Sequence, residues 1–66
     1  MGKIYAFIIT SKSDINLLGF NKMEDVLIRS EYQLLNRPDE SYIVKLMSYK
    51  EFDELDELLY ATNKIK

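Results

Sequence analysis

Between Asn21 and Asn36 the chain carries a helical run whose apolar residues fall on two opposite faces. At about 100° per residue, Met23, Val26, Leu27 and Leu34 gather on one side, and Ile28, Tyr32 and Leu35 gather roughly opposite. One stripe can pack on the chain's own core. The other needs a second layer, a second copy or a foreign partner. Either the helix is sandwiched between a sheet and another helix, or one stripe is an association surface with Asp25 and Arg29 as its polar rim.

Size sharpens that choice. A 66-residue chain reads as one domain over residues 1–66, near the length at which a single core supplies only about 3–5 kcal/mol of net stability. The usual supplements are disulfides, a metal or oligomerisation. With 0 Cys and 0 His, disulfides are excluded and soft-ligand metal sites lose their donors. Self-association is left, and no cofactor is expected. Hydrophobic residues at 47% against 30% charged describe a chain that folds.

Neither Ile4–Ile9 nor Ile43–Met47 is long enough to span a bilayer, and Met1-Gly2-Lys3 opens no signal-type segment. Ala6 stands where a myristoylation motif has Ser or Thr. A cytoplasmic protein is the expectation. The net charge of −2 gives no drive toward nucleic acid or anionic lipid, so a protein with a basic surface is the partner it fits better.

Lys3–Thr10 reads as a strand apolar on both faces, hence a central one. After the polar stretch Ser11–Asp14, the segment Ile15–Phe20 suits either a short helix capped by Ser13 and ended by Gly19 or a hairpin strand. The hairpin is preferred, because two strands alone make a weak sheet. Asn21, three residues before Glu24, opens the next helix as an Asn capping box, and Asn36-Arg37-Pro38 stops it. Ser41–Met47 is a second clear strand, with Tyr42, Val44 and Leu46 alternating against Ile43, Lys45 and Met47. Were the two clear strands parallel neighbours, the helix between them would cross over right-handedly. Ser48–Glu51 is a full capping box for a last helix, whose stripe of Phe52, Leu55, Leu58, Leu59 and Thr62 reads as core. Asn63 and the Lys64–Lys66 tail follow, with the lysines placed at the negative end of the helix dipole. The expected fold is α+β: a small sheet of two or three strands packed by two α-helices, in the order β-(β or short helix)-α-β-α.

Common nucleophilic catalysis needs a Ser or Cys beside a base, normally His, which this chain lacks. A carboxylate pair would need a deep cleft that so short a chain can scarcely build. The last helix crowds acids at Asp53, Asp56 and Glu57 around Tyr60. Such a face is ordinarily a solvated one, but an aromatic framed by acids is also what grips a basic patch. The spacing is not that of a calcium loop. The expected function is therefore a non-enzymatic, acidic protein-protein interaction module, a regulator or inhibitor that occludes another protein's surface, as small proteins of phages and mobile elements do. Its partner-binding candidates are Asp53, Asp56, Glu57 and Tyr60, or Ile28, Tyr32 and Leu35. The alternatives are a homo-oligomeric structural module, such as a homodimer, and a nucleic-acid-binding accessory protein, the last disfavoured by charge.

Overall fold

The structure, a computed structural model, describes the backbone of residues 2–65 and the side chains of residues 2–62. Its elements run β1 (Lys3–Thr10), β2 (Ile15–Phe20), α1 (Met23–Asn36), β3 (Ser41–Ser48) and α2 (Tyr49–Ile65). They form a three-stranded antiparallel sheet in the order β2-β1-β3, with two helices, an α+β fold. The twice-apolar strand β1 is the central one. Ile15–Phe20 is the hairpin strand, closed where the Ser11 N–H donates to the Asp14 carbonyl at 2.9 Å. β1 and β3 are neighbours but antiparallel, so no direct parallel crossover exists. The helix instead links β2 to β3, two parallel edge strands with β1 between them.

Strand alternation divides the sheet into two faces. Tyr5, Phe7 and Ile9 share a face with Leu18, Phe20 and Tyr42, and with Val26 of α1 they make the core cluster. Phe7 is fully buried, stacked on Tyr42 at 4.8 Å and edge-on to Phe20 at 5.9 Å. The other face carries Ile4, Ala6 and Met47 beneath α2. There Gly19 lies opposite Ala6, and the Phe52 ring comes within 2.9 Å of where a Cβ on Gly19 would stand. The two helices thus cover opposite faces, and α1 is not sandwiched between the sheet and α2.

Local signals held at the second helix and failed at the first. Ser48 and Glu51 form the full box: the Ser48 N–H donates to Glu51 Oε1 at 3.0 Å and the Glu51 N–H to Ser48 Oγ at 3.1 Å. At α1 the N-cap is Lys22, with no side-chain capping bond. Asn21 Oδ1 accepts instead from the Tyr49 hydroxyl at 2.8 Å, so a tertiary contact has taken the atom that a local cap would have used. Arg37 and Pro38 end α1 as expected, the Arg37 N–H reaching the Gln33 carbonyl at 2.9 Å. On α2, Phe52, Leu55 and Leu59 are half-buried, but Leu58 is 66% exposed and Thr62 is exposed, bonded back to the Leu58 carbonyl. Leu58 sits about 100° away from its neighbour Leu59, beyond the narrow strip that a three-stranded sheet covers. The helix continues past Asn63 to Ile65; the expected placement of the lysine side chains lies outside the described residues.

The hydrogen bonds from the Ser48 backbone and then its hydroxyl hold the exposed Glu51 carboxyl below its ordinary value of 4.5, with smaller help from Lys45 and Lys3. Because the folded value is depressed, this anchor is fully present above pH 4.5 and is lost as pH falls through the lowered value. Protection of the Ser48 and Glu51 amides, taken as exchange relative to the intrinsic rate at each pH, should therefore fall on acidification in that window. Glu51→Gln should flatten the dependence, and an identical pH response in this variant would refute the assignment.

Candidate functional site

Neither large apolar stripe of α1 faces the sheet. Of the stripe expected to form core, only Val26 is buried; Met23, Leu27 and Leu34 are 48%, 63% and 67% exposed. The opposite stripe is also outward, with Ile28 at 62%, Tyr32 at 42% and Leu35 at 73%. The inward arc lies between the stripes and holds Val26, the fully buried Gln33 and the half-buried Arg29 and Ser30.

What rolls the helix this way is a polar tie. Gln33 Oε1 accepts from Arg29 Nε at 3.1 Å, and Gln33 Nε2 donates to Glu40 Oε1 at 3.1 Å, which satisfies both ends of a buried amide. Glu40 follows the turn at Pro38, whose closing bond joins the Glu40 N–H to the Arg37 carbonyl at 3.1 Å. The interaction runs Glu40, Gln33, Arg29, and on to the Tyr32 ring, over which the guanidinium carbon sits at 5.0 Å. Arg29 is thereby fixed between a buried amide and an exposed aromatic face.

The fixed side chains frame a groove of about 360 Å³ between α1 and β2, lined by Phe20, Asp25, Ile28, Arg29 and Tyr32. Two of the residues expected to bind a partner, Ile28 and Tyr32, therefore share one concavity with the rim pair Asp25 and Arg29, while Leu35 is exposed further along the same helix face. Asp53, Asp56, Glu57 and Tyr60 are exposed too, but on α2, across the sheet. The two candidate sets are separate surfaces and do not form one site. Among the described residues, no group of three or more acids is placed to hold a metal ion, and no helix is long and apolar enough to cross a membrane.

Sequence reasoning missed Phe20, Gln33 and Glu40. Phe20 closes the hairpin strand and supplies the groove wall, a role that depends on which way β2 lies beneath α1. Gln33 did leave a signal: it stands on the same helical arc as Val26, between two apolar flanks.

Compared with family models, curated proteins and solved structures, the chain matches none. Its functional reading therefore rests on its own residues.

Proposed function

We propose that this chain is a non-enzymatic protein-interaction module, a regulator or inhibitor that occludes a surface of another protein through the groove between α1 and β2. One observation carries the reading: Ile28 and Tyr32 stand exposed around a preformed concavity whose arginine is already held in place. Such an arrangement suits an apolar or aromatic side chain of the partner, with tyrosine and arginine giving contact area at little ordering cost. Asp25 on the rim and the net charge of −2 favour a basic group beside that anchor. The lack of Cys and His supports a role without chemistry on a substrate.

Capture from an extract of the source cells tests this with three forms of the protein. Ile28→Asp and Tyr32→Ala should fold with stability within about 1 kcal/mol of wild type, since both residues are exposed and Tyr32 gives up only its contact with the Arg29 guanidinium. Each should weaken the captured partner's binding by about thirtyfold or more, as loss of an interface anchor does. Charge reversal at Asp53, Asp56 and Glu57 should leave the partner bound. A partner that the acidic variant loses and the groove variants keep would move the contact to α2 and overturn the groove reading.

A further inference from the structure

The flank of the molecule away from the groove shows a second unfinished surface. β3 is a full-length edge strand of 8 residues whose Ile43, Val44 and Leu46 are 62%, 37% and 50% exposed. α1 rests on β1 and β2, and since its Ile28/Tyr32 side borders β2, its exposed Met23/Leu27/Leu34 side is the flank directed toward the β3 edge. The other edge, β2, is shorter at 6 residues, is interrupted by Gly19 and is packed by both helices.

The direction of the free backbone groups on β3 follows from the hairpin. The Ser11–Asp14 bond sets the odd-numbered residues of β1 toward β2, because antiparallel neighbours alternate which side their N–H and C=O address. Even-numbered β1 residues then bond to β3, engaging Ser41, Ile43, Lys45 and Met47. The unpaired N–H and C=O groups of β3 are those of Tyr42, Val44 and Leu46, so the free hydrogen-bonding edge carries two of the strand's exposed apolar side chains, Val44 and Leu46.

The chain as a whole exposes more surface than a compact monomer does, enough for a second copy to cover. A compact monomer of 7.8 kDa exposes about 4,400 Å², whereas this chain exposes 5140 Å². The surplus of about 700 Å² is close to the roughly 800 Å² that each partner contributes to a standard interface. The radius of gyration of 12.2 Å, against about 11 Å for a compact chain of this length, agrees.

We propose that two copies of this chain pair antiparallel through β3 with Val44 on the two-fold axis, forming a continuous six-stranded sheet. In this register Val44 meets Val44, Tyr42 meets Leu46, and Lys45 meets Ile43. Centring one residue later would set Lys45 against Lys45, so the lysine excludes that register. The Val44 and Leu46 side chains of both copies floor one apolar strip, with the Met23/Leu27/Leu34 flanks of the two α1 helices along its sides. The α1–β2 groove stays open on both copies, so pairing is independent of the reading above.

Because the chain has no cysteine, a single Val44→Cys gives a clean test. Hydrogen-bonded antiparallel pairs hold Cα atoms about 5.5 Å apart, within disulfide range. Mild oxidation should cross-link Val44→Cys into a covalent dimer far faster than Leu58→Cys, a control on α2 that is more exposed than Val44. Sedimentation equilibrium should show a wild-type dimer weakened about a hundredfold by Val44→Pro, which removes only an outward N–H of an edge strand. Val44→Lys provides the same readout should the proline variant fail to fold, and Ile28→Asp should remain dimeric. A wild-type monomer at high concentration, equal cross-linking of the two cysteine variants, or a dimer indifferent to both Val44 substitutions would overturn the proposal.

Discussion

Phe7→Ala is expected to leave the protein unfolded at 25 °C. Phe7 is fully buried at the centre of the α1 face of the sheet, between the rings of Phe20 and Tyr42. Truncating a buried phenylalanine removes its transfer energy, leaves a cavity and costs about 3–5 kcal/mol. That range matches the roughly 3–5 kcal/mol that a core of this size supplies. No neighbour can refill the space without giving up its own packing, since the cluster's other fully or nearly buried members are only Ile9 and Val26. Far-ultraviolet circular dichroism with a urea titration at fixed protein concentration checks this; cooperative unfolding at a midpoint near that of wild type would contradict it.

The second large effect belongs to a polar residue. Gln33→Ala should destabilise by about 2 kcal/mol, because it removes two hydrogen bonds to charged partners and leaves Arg29 and Glu40, both half-buried, without them. The figure sits low in the range for such bonds because water can still reach those two groups. Gln33→Leu should lose less, since leucine fills the same buried space between α1 and the sheet. The alanine variant should also release Arg29 from its place over Tyr32 and loosen the groove, an effect visible as faster side-chain averaging at Arg29 Nε by NMR. A change below about 0.5 kcal/mol with Arg29 still ordered would mean that α1 is held by Val26 alone.

These expectations show which parts of the molecule were legible. β1, the hairpin, the stop at Pro38 and the Ser48–Glu51 box were readable because each depends on residues a few positions apart: alternation, a polar turn, a ring that cannot continue a helix, a reciprocal pair of hydrogen bonds. Asn21 carried an equally good local signal and was diverted by Tyr49, 28 residues away. For the candidate site, the sequence located Ile28 and Tyr32 on one face with Asp25 and Arg29 at its border, and the groove uses all four. It could not locate Phe20, which reaches the groove only through the pairing of β2 with β1.

The amino-acid sequence alone determined four of the five elements, their order, the central place of β1, and the two-sided apolar character of α1, and left Ile15–Phe20 open between strand and short helix, since periodicity and capping are properties of neighbouring residues. Only the tertiary structure decided how α1 is rolled. Periodicity scores apolar residues and favoured burying one of two comparable stripes. The folded chain instead buries the arc between them, because Gln33 finds partners for both ends of its amide only when Glu40 and Arg29 converge on it, and Glu40 reaches that position after a turn and a change of direction. Both apolar flanks stay exposed as a consequence. A satisfied buried amide is a relation among three residues brought together in space, and no reading along the helix contains it.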